Sequence, residues 1–240
     1  MTESRGVIWD FDGTLAERPG LWSGCLLEIV RAENPDDPIR REDIAALMRT
    51  GFPWHTPEQG HPELCDPDAW WDKITGLLGG VLRRLGYPDE SARMMAPQVR
   101  ERYLDEGVGW RLYPGVHESL RRIADAGIPQ VILSNHAPEL ADLVERLGLA
   151  PYFQAIITSA LTGYEKPHEF AYKAARAALP DGAALWMVGD SVEADVLGPA
   201  RHGIQTVLLW RKQGLPPEGV ERYATDLSVA ADLILGDSTP

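Results

Sequence analysis

The chain alternates short, uninterrupted apolar runs with longer segments in which apolar residues recur at helical spacing. The first apolar run spans residues 7–9 and ends at the polar sequence Asp10-Phe11-Asp12-Gly13-Thr14. Further apolar runs occupy residues 131–133, 155–157, 185–188, 206–210 and 233–235. Continuous apolar runs of this length indicate strands that are buried on both faces, as in a parallel sheet.

Helical patterns separate most of these predicted strands. They cover residues 116–126, 138–147, 169–179 and 192–202. A glycine or a proline directly follows each of the last three segments and would end a helix there. Alternating strands and helices predict βαβ units, and therefore an α/β fold with a doubly wound parallel sheet.

Residues 17–112 follow a different pattern, because no strand repeats occur there. Helical periodicity covers residues 22–32, 41–49, 68–85 and 90–106, and residues 51–66 form a loop rich in Pro, Gly and His. The simplest organisation is an α/β core built from residues 1–16 and 113–240. An all-helical domain, residues 17–112, would then be inserted after the first strand.

Composition narrows the classes of partner. The 240 residues carry a net charge of −13, which disfavours nucleic acids and acidic membranes as partners. Any phosphate site must therefore supply local positive charge. No apolar run is long enough to span a bilayer, and residues 1–6 lack the apolar stretch of a signal peptide. We expect a cytoplasmic protein in which Cys25 and Cys65 are reduced thiols.

The polar clusters of interest all stand at or just beyond the carboxyl ends of predicted strands, the edge at which open α/β sheets bind ligands. In the first cluster, Asp10 and Asp12 are two residues apart and point to the same crevice. One carboxylate can attack phosphorus, while the other can protonate a leaving group and later activate water. The alternative, a generic Asp-Gly turn, does not explain the strand-end position of both acids.

Two further motifs supply groups that suit a phosphate. The hydroxyl of Ser134 and the amide of Asn135 can hold phosphoryl oxygens at the start of a helix. Ordinary helix capping accounts equally well for this pair when it is taken alone. Lys166 precedes a proline, is held extended, and can offset the charge of a transferring phosphoryl group. A single solvated lysine is the alternative.

The last motif, Gly-Asp190-Ser-Val-Glu193-Ala194-Asp195, follows a clear strand. Asp190 is placed to bind a hard cation through oxygen, and Mg²⁺ suits a site with few carboxylates and a phosphate. Asp195 lies one turn further and would hold Lys166 or a metal-bound water. Acidic residues that complement a helix dipole are the alternative for Glu193 and Asp195.

Taken together, the order Asp10-x-Asp12-Gly-Thr, Ser134, Lys166-Pro and Gly-Asp190-x4-Asp195 resembles the haloacid dehalogenase-like hydrolase superfamily. The resemblance implies a Rossmann-like core with a helical cap domain. It implies Asp10 as the nucleophile, Asp12 as the general acid and base, and Ser134 and Lys166 as phosphoryl-binding residues, beside which Asn135 is a further candidate substrate contact. Mg²⁺ would be bound by Asp10, the Asp12 carbonyl and Asp190. Ala194 departs from the asparagine of many relatives.

Within that superfamily, an acid at the position of Asp12 is typical of phosphatases and phosphomutases, whereas dehalogenases lack it. We therefore predict a Mg²⁺-dependent phosphatase that hydrolyses a small phosphorylated metabolite through a phospho-aspartyl intermediate, acting as a monomer or homodimer. A sugar phosphomutase and a catalytically idle binding protein stay open as alternatives. The substrate cannot be read from the sequence. The predicted recognition surface is the loop 51–66 together with the residues just after Leu15, and Trp54 and His55 are candidate contacts.

Overall fold

A computed structural model of the chain describes residues 4–105 and 109–236. In chain order the strands are β1 (Arg5–Trp9), β2 (Ala16–Glu17), β3 (Arg111–Leu112), β4 (Gln130–Ser134), β5 (Ala155–Thr158), β6 (Ala184–Gly189), β7 (Gln205–Leu209) and β8 (Tyr223–Ala224). Six of them form one sheet in the order β5-β4-β1-β6-β7-β8. Every neighbouring pair in this sheet is parallel.

The helices are α1 (Leu21–Glu33), α2 (Arg41–Leu47), α3 (Pro67–Arg84), α4 (Asp89–Met95), α5 (Gln98–Leu104), α6 (Val116–Asp125), α7 (Leu140–Arg146), α8 (Ser159–Thr162), α9 (Glu169–Ala177), α10 (Gly198–Ala200) and α11 (Leu227–Leu235). None of the helices in the described part of the chain has both the length and the apolar character that crossing a membrane requires.

Side chains on both faces of the sheet are buried, as the continuous apolar runs predict. Along β1, Val7 and Trp9 pack into one core, while Ile8 packs into the core of the opposite face. Strand β6 alternates in the same way, with Val188 on the first side and Met187 on the second. The prediction of an α/β fold with a doubly wound parallel sheet is therefore confirmed.

Helices α1 to α5 lie between β2 and β3, which pair as a short antiparallel ribbon. The ribbon pairs Ala16 with Leu112 and Glu17 with Arg111, so the two ends of the helical segment lie side by side. The sequence pattern did not predict β3. The loop 51–66 contains two 3₁₀ turns, Pro53–His55 and Pro62–Leu64.

Like β3, the short strands β2 and β8 were not predicted, and three of the predicted elements take a different form in the structure. The helix predicted over 90–106 is two helices, α4 and α5, that meet at Pro97, whose ring removes a backbone donor; its last predicted residue, Glu106, lies outside the described residues. The predicted strand 233–235 is the end of α11. Its apolar residues belong to a helical stripe with Leu227, Ala230 and Ile234 buried and Leu233 partly exposed.

The third difference lies beside the polar clusters. The helix predicted over 192–202 is a wider π-helical turn, Val192–Leu197, followed by the short α10. Pro199 lacks the N–H group that a continuous α-helix would need at this point. Widened turns of this kind are frequent at functional sites, and this one begins directly after Asp190 and Ser191.

Candidate active site

The sheet topology brings the predicted motifs to one edge. Strand β1 lies between β4 and β6 and is parallel to both. Asp10 follows β1, Ser134 ends β4, and Asp190 follows β6. Because the carboxyl ends of these three neighbouring strands coincide, residues 124 positions apart reach hydrogen-bond distance, as Ser134 and Asp10 do.

The carboxylate of Asp10 is buried and its oxygens are held by three side chains. Oδ1 accepts hydrogen bonds from Ser134 Oγ at 2.9 Å and from Lys166 Nζ at 2.8 Å. Oδ2 accepts a hydrogen bond from Thr14 Oγ1 at 3.1 Å. Thr14, which the motif analysis did not single out as a site residue, therefore fixes the rotamer of this carboxylate.

Lys166 is buried between two acids. Its Nζ lies 2.8 Å from Asp10 Oδ1 and 2.6 Å from Asp195 Oδ1. Burial by itself lowers the pKa of the ammonium, but the two neighbouring carboxylates outweigh it, and the net effect is a raised pKa. Lys166 is thus a fixed positive charge in an acidic protein, and Asp195 holds it in place.

Asn135 acts on the backbone of Lys166. Its Nδ2 donates to the Lys166 carbonyl at 2.9 Å, and its Oδ1 accepts from the Lys166 N–H at 2.7 Å. Both polar atoms of the Asn135 side chain are therefore engaged in aligning the loop that carries the lysine. The residue lines the same cavity as Asp10, but this pairing indicates a positioning role.

Asp12 stands apart from this network. Its Oδ1 is buried and has no hydrogen-bond partner among the described residues. Burial, followed by repulsion from Asp10, raises the pKa of Asp12 well above its ordinary value, although Lys166 acts in the opposite direction. A carboxyl group with a raised pKa beside the Asp10 side chain fits a proton donor next to a nucleophile.

His136 is a buried neighbour of Asp12. Its Nδ1 lies 3.1 Å from the Ala137 carbonyl, which can only accept, so Nδ1 carries the proton. Burial lowers the pKa of His136 to about 4, and the ring is therefore neutral at pH 7. The remaining nitrogen, Nε2, lies 4.0 Å from Asp12 Oδ1.

The carboxylates of Asp10, Asp190 and Asp195 can meet at a cation, since one ligand oxygen from each lies within 4.8 Å of the other two. Asp195 already accepts from Lys166 and from the Ser191 N–H at 3.0 Å, so its oxygens are less free than those of Asp190. Solvent reaches Asp190, yet protein surrounds it on its other sides. This burial, with repulsion from Asp10 and Asp195, raises its pKa.

Gly13 brings the loop after β1 against Asp190. It has φ +78, and a Cβ at this position would lie 2.5 Å from Asp190 Oδ2. The Asp12–Gly13 backbone therefore passes directly beside the Asp190 carboxylate. The carboxylates of Asp10 and Asp190 could therefore bind a hard cation through oxygen at this point.

A cavity of about 400 Å³ opens above these residues. Its floor contains the predicted motif residues Asp10, Asp12, Ser134, Asn135, Lys166, Asp190 and Asp195. The helical segment between β2 and β3 contributes five further lining residues, which we call the apolar wall: Leu21, Trp22, Trp54, Pro57 and Tyr103. Trp54 is thus at the cavity, as the sequence suggests.

His55 is not among the described residues that line the cavity. Its Nδ1 accepts from the Phe52 N–H at 3.3 Å, and its ring stands edge-on to Phe52. Leu21, Trp22 and Tyr103 were not predicted as site residues. Their helical periodicity resembles that of core residues, and only the packing of α1 and α5 brings them to the cavity.

Comparisons with known proteins identify the family of the chain. The family model for haloacid dehalogenase-like hydrolases matches residues 5–203. A ribulose-1,5-bisphosphate 5-phosphatase of Halopiger xanaduensis is 35% identical over 128 residues, and the match spans only 52% of each chain. A phosphoglycolate phosphatase of Caulobacter vibrioides is 27% identical over 93% of this chain and 85% of its own length.

Among solved structures, a 2-haloacid dehalogenase from Pseudomonas syringae superposes with a TM-score of 0.67. The two share 20% identity, over 98% of this chain and 100% of the other, which speaks to the fold alone. The family model covers most of the chain, and the strand-end residues stand where the motif order placed them. The chain belongs to the haloacid dehalogenase-like hydrolases.

Proposed function

We propose that this hydrolase is a Mg²⁺-dependent phosphatase that cleaves a small phosphomonoester through a phospho-aspartyl intermediate on Asp10. The observation that carries the proposal is the arrangement around Asp10. Its carboxylate is held by Lys166 and Ser134 at 2.8 and 2.9 Å, and the Asp12 carboxyl, with a raised pKa, stands beside it.

In the first half-reaction Asp10 is the nucleophile. One of its oxygens forms the bond to phosphorus while the bond between phosphorus and the leaving oxygen breaks. Lys166 and the Ser134 hydroxyl, which hold Asp10 before substrate arrives, would then bind the non-bridging oxygens of the phosphoryl group. Holding the attacking group and the substrate together in this way accounts for much of the rate acceleration in phosphoryl transfer.

Asp12 moves the protons. Its protonated carboxyl gives a proton to the leaving oxygen as that oxygen departs, so an alcohol rather than an alkoxide is released. The resulting Asp12 carboxylate then takes a proton from water, which attacks phosphorus and frees Asp10 together with inorganic phosphate. The proton taken from water replaces the one that left with the alcohol, so Asp12 is protonated again and the cycle closes.

Asp10, the Asp12 carbonyl and Asp190 are the groups that would hold Mg²⁺. When bound, the cation supplies charge neutralisation between the carboxylate of Asp10 and the phosphate dianion. Asp195 secures Lys166, and Asn135 aligns the backbone of the same lysine. These two residues therefore act through Lys166.

The helical segment 17–112 is proposed to be a cap over a core of residues 1–16 and 113–240. The ribbon of β2 and β3 supports this division, since its two strands lie at the proposed boundaries and pair with each other there. The apolar wall comes from this segment and lines the same cavity as the carboxylates. Closure would exclude water while the leaving group is still bound.

Two alternatives make different demands on the site. A phosphomutase must hold a second phosphate, yet Lys166 is the one lysine or arginine among the described residues that line the cavity. A dehalogenase needs no proton donor for its halide leaving group, so the buried Asp12 carboxyl would have no use there. The phosphatase is favoured on both counts. The substrate is then a small phosphorylated metabolite, and a cytoplasmic location stays a prediction.

The experiment is phosphate release from 4-nitrophenyl phosphate by the full chain, with Mg²⁺ and with chelator, for the unmodified protein and for Asp10→Asn. We expect release that requires Mg²⁺ and disappears in Asp10→Asn. The variant Glu118→Gln, on an exposed face of α6, is the matched control and keeps full activity. Full activity in Asp10→Asn would refute the proposed nucleophile.

A further inference from the structure

The residues that the helical segment contributes to the cavity restrict the kind of leaving group that a substrate can carry. The described residues that reach the cavity from the helical segment are those of the apolar wall, Leu21, Trp22, Trp54, Pro57 and Tyr103. None of them carries a charge. The other described residues that line the cavity include one ammonium group, that of Lys166, and five carboxyl groups: Asp10, Asp12, Asp190, Glu193 and Asp195.

Among the described residues that line the cavity, this balance of charge leaves no cationic side chain for a second anionic group. Lys166 is already engaged by Asp10 and Asp195 at 2.8 and 2.6 Å, and any charge from Mg²⁺ would be used by the transferring phosphate. A carboxylate or second phosphate on the leaving group would be stripped of water against the apolar wall without a partner. Burying an unpaired charge in this way is strongly unfavourable.

The aromatic rings of the wall stack closely on one another and on Phe52. The ring of Trp22 stacks on Tyr103 with centroids 4.0 Å apart and planes at 9°, and it stacks on Trp54 at 5.9 Å and 29°. Trp54 in turn stacks on Phe52 at 4.4 Å. Because the ring faces cover one another, little face area is left for a cation, and the wall offers ring edges and apolar surface.

Leu21 adds an exposed apolar side chain at the same place. Its side chain is 38% exposed, although the next residue of α1, Trp22, belongs to the hydrophobic core. Its φ of +43 falls in the left-handed region that leucine rarely adopts. Strain held at a cavity wall is a sign of a functional constraint, and here the exposed side chain that it positions is apolar.

From these observations we infer that the phosphomonoester hydrolysed here has an uncharged, apolar leaving group that packs against the apolar wall. This inference rests on the proposed phosphatase function and gives its substrate class. Esters whose alcohol bears a carboxylate or a second phosphate are disfavoured. The two curated relatives named above are called phosphatases of substrates of that charged kind, so this chain would differ from them in specificity.

The test compares kcat/KM for esters of nearly equal leaving-group basicity. Benzyl phosphate is the neutral apolar probe, ethyl phosphate is the small reference, and benzyl phosphates with a para carboxylate or a para aminomethyl group add one charge far from phosphorus. We expect benzyl phosphate to be preferred over ethyl phosphate. Either charged ester should react more slowly than benzyl phosphate, by about tenfold or more for the carboxylate.

Two pairs of variants connect the preference to the wall. Trp54→Ala should reduce the ratio of benzyl to ethyl phosphate turnover by about tenfold, whereas Trp210→Ala, outside this cavity, should leave the ratio unchanged. Leu21→Lys should raise the ratio of carboxylated to neutral benzyl phosphate by about tenfold, because it gives the carboxylate a partner. Leu21→Met, which has the same backbone strain but adds no charge, should leave this ratio unchanged.

The outcomes separate the two proposals. Preference for a charged ester, or equal kcat/KM for all benzyl esters, would overturn the inferred substrate class while leaving the phosphatase standing. Unchanged ratios in both Trp54→Ala and Leu21→Lys would also overturn it. If folded protein released phosphate from none of the esters, the phosphatase proposal would fail, and this inference would fail with it.

Discussion

Nε2 of His136 lies 4.0 Å from Oδ1 of Asp12, and neither atom has a hydrogen-bond partner among the residues that the structure describes. The ring is neutral, with its proton on Nδ1, so Nε2 presents a lone pair toward the carboxyl group. A protonated Asp12 can donate to that lone pair after a small movement. An ionised Asp12 has no proton to donate and therefore gains no hydrogen bond from that lone pair. His136 therefore favours the form of Asp12 that protonates a leaving group.

The variant His136→Phe tests this relationship. It keeps a buried ring, and Thr158 Oγ1, which donates mainly to the His136 carbonyl, still lies 3.3 Å from the Ala137 carbonyl. We expect kcat to fall about tenfold for ethyl phosphate, whose leaving group needs a proton, and much less for 4-nitrophenyl phosphate. Equal losses for both esters would show that His136 serves packing alone.

Asp12→Asn removes the group that moves protons but leaves the nucleophile. Loss of a general acid and base typically slows turnover by about 10² to 10⁴-fold. With 4-nitrophenyl phosphate, whose leaving group needs little protonation, the second step should become limiting. One phosphoryl group per chain would then accumulate, which intact-protein mass spectrometry can detect. Unmodified protein during turnover would contradict the assigned role of Asp12 in the second step.

Lys166→Met leaves Asp10 and Asp195 close together without the ammonium between them. Breaking a buried pair by removing one partner costs about 3–5 kcal/mol, so the free energy of unfolding should fall by that order. The double variant Lys166→Met with Asp195→Asn should regain part of the stability but none of the activity. Denaturant unfolding and phosphate release measure the two effects. Stability unchanged in Lys166→Met would refute the buried-charge account.

Metal binding should depend on pH through the crowded carboxylates. Burial raises the pKa values of Asp12, Asp190 and Asp195 above those of the unfolded chain. Without Mg²⁺, the native state holds protons that the unfolded chain has lost. The free energy of unfolding should therefore decrease as pH rises from the ordinary aspartate range, about 4, through the raised values.

Mg²⁺ should offset this decrease in the free energy of unfolding. It binds the ionised carboxylates of the native state, so the Mg²⁺-induced increase in Tm should be larger at pH 8 than at pH 5. Thermal unfolding with Mg²⁺ or with chelator at both pH values measures this difference, and Asp190→Asn should abolish most of it. A larger increase at pH 5 would show that these carboxylates do not form the metal site.

The sequence was sufficient for the parts of the site that follow from strand ends. Asp10, Ser134 and Asp190 each stand at or directly after a continuous apolar run, and parallel strands place such residues together. The prediction of Lys166 depended on the motif order. Its approach to Asp10 is set by the Asn135 side chain and by Asp195, contacts between distant segments that no local pattern encodes.

Helical periodicity was a weaker guide. Trp22 and Tyr103 have the spacing of core residues, and they do pack in a core, yet they also face the cavity. The apolar run 233–235 has the length of a strand, but the N-cap of Asp226 on the Val229 N–H begins a helix that includes it. In short apolar segments tertiary packing decides between strand and helix.

The most direct test of the central claim is chemical trapping of the Asp10 intermediate. Turnover of 4-nitrophenyl phosphate with Mg²⁺ is stopped with acid within milliseconds, and borohydride then reduces any acyl phosphate to an alcohol. We predict that peptide mass spectrometry finds homoserine in place of aspartate at position 10, and that chelator abolishes it. Active enzyme with unmodified Asp10, or with the modification at another carboxylate, would contradict the account.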